Sequence, residues 1–287
     1  MSEKIGIIAD STADFPIGLT DEMDIHHAPI HIMVDGHDYL DGVNISKKDV
    51  ITFMKKGCDV YTTPPSPSEY ADIFDNMLSH YDKVLSLHVS SQFSKCFTSA
   101  KNSLNLLFSD QEENIKLIDT ENVTGGQALI AKKARELFSR GIPFTAIEKH
   151  LQPFVNNSPV CFAVEDLKWL RKGGRLSTLS AVFGNILNIK PVIGLIKAEL
   201  KPVGKYRGKP QAINGMIQKA HEISKKIPND YEIWVSHVDD EVSCKFMQET
   251  LAEILKKNID EIKMVEIGST IAVHAGPGCC GWAILPS

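Results

Sequence analysis

The chain has 287 residues, of which 43% are hydrophobic and 23% charged. This composition is typical of a globular protein and excludes a disordered or fibrous one, while the length favours two domains over one. Lys and Arg number 31 against 36 Asp and Glu, for a formal net charge of -5. A mildly acidic chain without a basic block excludes the usual electrostatic binding of nucleic acid.

The first half of the sequence alternates short apolar strands with amphipathic helices. A buried strand is predicted in KIGIIAD, and a hairpin in PIHIMVDGHDYLDG with its turn at Asp35 and Gly36. Ser66, Pro67 and Glu69 mark a helix start with a capping box. Strand and helix patterns then alternate through KVLSLHVS, FTSAKNSLNLLF, IKLID and GGQALIAKKARELFSRG. This order predicts a mainly parallel sheet with helices on both faces.

The pattern changes after NNSP, near residues 156–159. Strands are predicted in CFAV, YEIWVSHV and MVEIGSTIAVHAG, and a hairpin in PVIGLIKAELKPVGKYRG. A helix broken at Gly173 and Gly174 is predicted through EDLKWLRKGGRLSTLSAVFGNIL. The sequence therefore predicts an α/β protein with an N-terminal α/β domain over residues 1–158 and a C-terminal α+β domain with a mixed sheet over residues 159–287.

Neither targeting nor metal binding is indicated. The N-terminus has no basic region followed by an apolar stretch, and no apolar run is long enough to span a bilayer, so no stable membrane insertion is expected. The six cysteines show neither disulfide nor metal spacing. Reduced thiols in a cytoplasmic protein without a metal or cofactor are the simplest interpretation.

Hydroxyl-rich loops follow or precede the predicted elements at one edge of the parallel sheet. Ligands of such sheets bind beyond the carboxyl ends of the strands, where helix amides and hydroxyls attract an anion. The same residue types also serve as ordinary helix caps, and the sequence leaves both interpretations open. The loops are ADSTADFP, YTTPPSPSEY, HVSSQFSKCF and DTENVTGG.

Three further features admit two interpretations each. His274 in VHAGPG is either a structural residue after a strand or a hydrogen-bonding partner for a carboxylate. The basic clusters LRKGGRLS and GKYRGK are either solvated surface or guanidinium groups that steer an acidic partner. The apolar segment LSTLSAVFGNIL is either ordinary core or the lining of a ligand tunnel.

Taken in order, these segments resemble the DegV family of bacterial fatty-acid-binding proteins, which includes the acyl-binding subunits of fatty acid kinase. The resemblance runs along the whole chain, in the segments ADSTADFP, TTPPSP, SSQFSKCFTSA, IDTENVTGG, EDLKWLRKGGRLS, KYRGK and HAGPG. It implies two α/β domains with a long-chain fatty acid such as palmitate buried between them. By position it implies that Thr62, Ser94 and His274 hold the carboxylate, and that Arg175 and Arg207 are partner-facing or secondary. A separate fatty acid kinase is the implied partner.

The sequence departs from the family pattern in two places. The family has Gly-Thr after the serine, whereas Lys95 and Cys96 follow Ser94, and strain is expected if that turn needs a positive φ. Pro64 stands in a loop where the family often has Ser-Gln-Pro, and it removes a backbone donor. Both departures leave Thr62 and Ser94 in place.

Two other function classes compete with the carrier hypothesis. A hydrolase or acyltransferase would use Cys96, Cys279 or Cys280 as its nucleophile. A nucleotide-binding regulator is suggested by the parallel sheet alone, but the glycine-rich phosphate loop is missing after the first strand. The leading hypothesis is a fatty-acid carrier that is not itself an enzyme.

Overall fold

The computed structural model describes residues 3–108, 111, 113–175, 189–228 and 230–287. The whole segment LSTLSAVFGNIL, predicted as helix and possible tunnel lining, lies outside these residues. Within them the chain is a mixed α/β structure, which confirms the predicted fold class. The strands form separate parallel, antiparallel and mixed sheets.

The first sheet is parallel throughout and has the strand order β2-β1-β6-β7. Its central strands are apolar and buried on both faces, as expected of parallel strands covered by helices. Its strands are β1 (Ile5–Asp10), β2 (Ile25–Ala28), β6 (Lys83–His88) and β7 (Ile115–Asp119).

Helices of the first half begin where the sequence supplies caps. Ser46 with Asp49, and Ser66 with Glu69, form capping boxes, the second of which confirms the predicted helix start. The helices α3 and α4 cover one face of the parallel sheet, and α5 lies on the other. These helices are α1 (Leu19–Glu22), α2 (Lys47–Lys56), α3 (Pro67–Leu78), α4 (Cys96–Leu107), α5 (Thr124–Ser139) and α6 (Ile147–Asn156), with a short 3-10 helix at Phe144–Ala146.

A small antiparallel sheet of strand order β4-β3-β5 adjoins the first sheet in sequence. The predicted hairpin is present, and Asp35 and Gly36 both adopt positive φ at its turn. The third strand places Thr62 opposite Ile32. The strands are β3 (His31–Val34), β4 (His37–Leu40) and β5 (Val60–Thr63).

The second half builds a mixed sheet of strand order β10-β9-β8-β13-β11-β12, in which β11 and β12 pair in parallel and the other neighbours are antiparallel. This confirms the predicted mixed sheet. The strands are β8 (Val160–Ala163), β9 (Ile189–Ile196), β10 (Glu199–Arg207), β11 (Tyr231–His237), β12 (Ile262–Glu266) and β13 (Cys280–Pro286). The helices are α7 (Lys168–Lys172), α8 (Lys209–Ser224), α9 (Glu241–Leu255) and α10 (Ser269–Ala275), with a short 3-10 helix at Ile259–Glu261.

One predicted strand is partly wrong. Only the beginning of MVEIGSTIAVHAG is strand, because the chain turns at Gly268 into helix α10. Two carboxylates from the first half hold the start of this helix: Asp14 Oδ1 accepts from Gly268 N at 2.8 Å, and Asp41 Oδ2 accepts from the backbone and hydroxyl of Thr270 at 3.2 and 2.6 Å. His274 therefore lies in a helix, not after a strand. These tertiary contacts outweigh the strand preference of the β-branched residues.

Helix α5 joins the two large sheets. Most of its residues are buried, and it packs on β1 and β6 of the parallel sheet and on β11 and β13 of the mixed sheet. A helix buried on nearly all sides needs apolar or small residues around its whole circumference, and α5 supplies Ala, Gly, Leu and Ile. The strands of the two sheets lie on either side of the predicted boundary near residue 158, although the domain limits themselves remain a prediction.

Candidate functional site

The four hydroxyl-rich loops converge on one cavity of about 480 Å³. Each loop contributes to its wall, with Thr12, Thr62, Ser94 and Thr124 among the lining residues. This volume lies in the range of about 300–1,000 Å³ found for small-molecule sites. The prediction that these loops meet at one site is therefore confirmed by their geometry. Helix capping accounts for only part of their hydroxyls, since α5 begins without a side-chain cap.

The cavity wall is mainly apolar. Its side chains come from both halves of the chain, so the cavity lies between the parallel and mixed sheets. The apolar lining residues are Ile30, Pro64, Val89, Phe93, Val123, Val160, Phe162, Leu170, Leu200, Ile267, Ile271 and Ala275. A cavity of this composition excludes water from an apolar ligand and leaves specificity to a few polar groups.

Thr62 and His274 meet in this wall across 212 positions of sequence. Thr62 Oγ1 lies 2.8 Å from His274 Nε2, because β5 brings Thr62 to helix α10. The other ring nitrogen, Nδ1, is buried and has no hydrogen-bond partner among the described residues. Burial, with a smaller contribution from the positive charge of Arg175, lowers the pKa of His274 to about 3. The ring is therefore neutral near pH 7.

Gly173 makes room for this histidine, a role that sequence analysis did not assign. A Cβ atom at position 173 would lie 2.2 Å from His274 Nδ1, so any side chain there would displace the ring. The φ of Gly173 is −73°, which any residue can adopt. Glycine is needed here because the ring of His274 lies too close to leave space for a side chain. The only sequence signal was the Gly-Gly pair, which was interpreted as a helix break.

The lowered pKa of His274 predicts a contribution to acid sensitivity. Below pH 6.5 the histidine is protonated in the unfolded chain but stays neutral in the fold, so the unfolded state binds more protons. Stability should therefore fall as the pH decreases from about 6.5 toward 3. We expect His274→Gln to flatten this part of the pH profile in urea unfolding, and the exposed control His37→Gln to keep it. An unchanged slope in His274→Gln would show that the histidine does not contribute.

Ser94 lines the same cavity at the start of helix α4. Its Oγ accepts a hydrogen bond from Cys96 N at 3.3 Å and lies 3.1 Å from Cys96 Sγ. Lys95 also lines the cavity and has φ −92°, so the strain expected from the departure Lys95-Cys96 is absent. The altered turn therefore keeps Ser94 at the cavity without a glycine.

The two predicted arginines lie in different environments. Arg175 is half-buried in the cavity wall, where Nε donates to Phe93 O at 3.0 Å and Nη1 donates to Gly173 O. These bonds connect the loop of Ser94 to the end of α7, beside His274. Arg207 is exposed at the end of β10 and is not among the lining residues. The structure thus brings Thr62, His274, Ser94 and Arg175 to one cavity and leaves Arg207 at the surface.

A Ser-His-Asp arrangement lies beneath the cavity. His88 Nε2 is 3.0 Å from Ser86 Oγ, and His88 Nδ1 is 3.0 Å from Asp10 Oδ1. Asp10 also accepts from the Tyr70 hydroxyl and from Val89 N, both at 2.8 Å. Ser86 and His88 have no exposed surface, and neither lines the cavity. A substrate cannot reach this serine, and the network instead fixes the end of β6 that leads to Ser94.

The cysteines are poor candidates for a nucleophile. All six are free, as predicted, and all except Cys58 are buried. Burial raises the pKa of Cys279 to about 12 and raises the pKa values of Cys96 and Cys280 further still. A nucleophilic cysteine needs the opposite shift, because the thiolate is the reactive form.

Within the described ranges, no cluster of three or more His, Cys, Asp or Glu side chains has the geometry of a metal site. None of the described helices combines the length and hydropathy needed to cross a bilayer.

Comparison with known proteins identifies the family. A model of the DegV family, described as uncharacterised proteins, matches residues 4–287. The chain belongs to the DegV family. A DegV domain-containing protein of Clostridium perfringens is 31% identical over 279 residues, with 97% of each chain covered. Another, from Caldanaerobacter subterraneus, is 29% identical over 284 residues and covers 97% of this chain and 98% of the relative.

Solved structures of this family share the fold. A DegV family protein from Thermus thermophilus, described as fatty-acid binding, superposes with a TM-score of 0.88 at 25% identity, covering 99% of this chain and all of the other. A stearic acid-binding protein from Eubacterium ventriosum gives 0.91 at 25% identity, with 98% of each chain covered. DegV of Bacillus subtilis, a fatty acid binding protein, gives 0.85 at 26% identity over the whole of both chains.

Proposed function

We propose that this DegV family protein binds one long-chain fatty acid in the cavity between its two halves. The observation that carries the proposal is a mainly apolar cavity of about 480 Å³ whose wall includes Ser94 and the hydrogen-bonded pair Thr62 and His274. Family members of similar fold are described as fatty-acid-binding proteins. The apolar wall suits the tail of a ligand such as palmitate, and the polar group suits its carboxylate.

The hydrogen bonding of His274 favours Thr62 as a donor to the ligand. A buried N–H group without an acceptor is rarer in proteins than a buried acceptor without a donor. Because Nδ1 of His274 has no partner among the described residues, the ring proton is assigned to Nε2. Nε2–H then donates to Thr62 Oγ1, and the threonine hydroxyl is free to donate into the cavity. Ser94 Oγ accepts from Cys96 N and can likewise donate its proton to a carboxylate. In this arrangement His274 orients Thr62 without carrying charge.

Most of the affinity would come from the tail. Each hydrogen bond to a charged group contributes about 1.5–3 kcal/mol, which desolvation of the carboxylate partly offsets. Burying a methylene group contributes about 0.8 kcal/mol, so a long acyl chain adds on the order of 10 kcal/mol before ordering costs are subtracted. The carboxylate contacts would therefore set the orientation of the ligand more than its affinity.

The proposed role is that of a carrier rather than a catalyst, and the raised pKa values of the buried thiols support it. The carrier would present the acyl carboxylate to a separate fatty acid kinase, in the cytoplasm where free thiols persist. This partnership rests on the family resemblance and on the exposed position of Arg207.

Arg207→Ala should leave fatty-acid affinity unchanged but impair phosphorylation of the bound acid by the cognate kinase. Arg207 lies outside the cavity wall and is exposed, so its loss removes a charge only from the outer surface. Calorimetry with palmitate and a coupled phosphorylation assay give the two readings. The exposed Arg140→Ala serves as the control and should behave as the native chain in both. Loss of lipid binding in Arg207→Ala would move this residue into the ligand site.

Mass spectrometry of organic extracts from the purified protein tests the proposed function directly. A near-stoichiometric free fatty acid is expected, and its mass gives the preferred chain length. An empty extract, together with no thermal stabilisation by added fatty acids, would contradict the proposal and direct attention to the thiols.

A further inference from the structure

Two buried hydroxyl side chains in the cavity wall are not used by the protein itself. Thr124 and Ser236 line the cavity and retain only 7% and 6% of their surface exposed. Within the part of the chain that the structure describes, neither hydroxyl has a hydrogen-bond partner. Two other buried hydroxyls of the same wall are satisfied: Thr12 donates to Gln127 Oε1 at 2.7 Å, and Thr270 donates to Asp41.

The two residues belong to helix α5 and strand β11, which pack against each other. A Cβ atom on Gly125 would lie 3.7 Å from Trp234 Cε3 and 4.0 Å from Trp234 Cβ, so the first turn of α5 lies directly over this part of β11. Trp234 and Ser236 share one face of β11, because side chains alternate along a strand. Thr124 precedes Gly125, and Ser236 follows Trp234 on the same face. The topology therefore brings the two hydroxyls to one region of the wall.

Thr124 is held in this position by backbone contacts. Its φ is +48°, which is rare for a β-branched residue, and its N–H donates to Thr12 O at 3.0 Å. Ser236 is fixed by its ladder partners Gly281 and Val265 in the neighbouring strands. The backbone of both residues is thus held by hydrogen bonds to neighbouring elements.

An unbranched, fully apolar acyl chain would leave these hydroxyls without partners. Such a chain displaces water from them and offers no hydrogen bond in return, which reduces its affinity. An oxygen atom on the chain would satisfy them at the same position. A hydroxyl can donate to one of them and accept from the other, and an oxo group can accept from both.

We propose that Thr124 and Ser236 form a polar subsite for an oxygen substituent on the acyl chain, and that the ligands of this protein include long-chain hydroxy or oxo fatty acids. The inference rests on the proposed fatty-acid binding and adds to it a preference among acyl chains. The subsite consists of residues other than Thr62, Ser94 and His274, so the two sets can act on different parts of one ligand.

The test compares stearate with a panel of positional isomers of monohydroxystearate by calorimetry on the full chain. We expect at least one isomer to bind the native protein at least as tightly as stearate. Ser236→Ala should weaken that isomer by about tenfold, the effect of one hydrogen bond, and should bind stearate at least as tightly as the native chain does, because no unpaired hydroxyl remains at position 236 beside the acyl chain. Thr124→Val, which keeps the shape of the side chain, should act in the same direction.

Ser103→Ala is the matched control. Ser103 is fully buried and its hydroxyl lacks a partner among the described residues, but it does not line the cavity. This variant should bind both ligands as the native protein does. The inference is overturned if every isomer binds the native chain more weakly than stearate, or if Ser236→Ala changes both affinities equally. In either case stearate binding still upholds the proposed function, which fails only if the native chain binds neither ligand.

Discussion

Replacing Thr62 and Ser94 together by alanine is expected to weaken palmitate binding by about 100-fold while leaving the fold intact. Each hydroxyl would lose one hydrogen bond to a carboxylate, and after partial compensation by water the pair accounts for about 3 kcal/mol. The fold should be retained, but the loss of Thr62 leaves the buried Nε2–H of His274 without its partner, which should lower the free energy of unfolding by about 1–3 kcal/mol. Calorimetry gives the affinity, and circular dichroism with thermal unfolding checks the fold.

The control for this double variant replaces the same residue types at the surface. Both residues are exposed and neither lines the cavity: Thr52 donates to Lys48 O, and Ser79 donates to Asn76 O and lies 2.8 Å from His80 Nδ1. Thr52→Ala with Ser79→Ala should therefore keep native affinity. If the double variant at Thr62 and Ser94 bound palmitate as tightly as this control, the carboxylate would have to be held by other groups.

The fold was predictable where the sequence pattern is strong and local. The apolar strands β1, β6 and β7 and the capped helix α3 follow from periodicity and capping residues alone. Strand β2 was missed, because its sequence IHHA has two exposed histidines and only two buried residues. Strand β13 was missed as well, since CGWAILP is apolar throughout and shows no alternation. It is buried in the middle of the mixed sheet, where an unbroken apolar run is the expected signal.

The candidate site was predictable as a set of loops but not as a set of contacts. Hydroxyl-rich segments after successive strands indicate a common edge, and the cavity confirms it. The pairing of Thr62 with His274 depends on helix α10, whose start is held by Asp14 and Asp41 from the other half of the chain. No local pattern encodes such a contact. For the same reason sequence analysis missed Gly173, whose role appears only when the ring of His274 is beside it.

Asp10→Ala should lower the free energy of unfolding by about 3–5 kcal/mol, the largest loss of stability that we predict for one substitution. The carboxylate accepts hydrogen bonds from Tyr70 and Val89 and lies 3.0 Å from the ring of His88, and it is 1% exposed. Alanine would leave these groups buried without a partner, and each such group costs about 1–3 kcal/mol. Urea unfolding at pH 7 measures the change.

Two further variants distinguish the loss of the hydrogen bonds of Asp10 from the loss of one negative charge. Asp72→Ala removes an exposed carboxylate from helix α3 and should change stability by less than about 0.5 kcal/mol. Asp10→Asn keeps one acceptor oxygen but replaces the other by an amide N–H₂ group. This donor must face either Val89 N–H or the donor groups of Tyr70 and His88. The loss of unfolding free energy in Asp10→Asn should therefore lie between the losses in Asp72→Ala and Asp10→Ala. A loss below about 1 kcal/mol in Asp10→Ala would mean that water replaces the carboxylate. In that case the hydrogen bonds of Asp10 would contribute little to the stability of the fold.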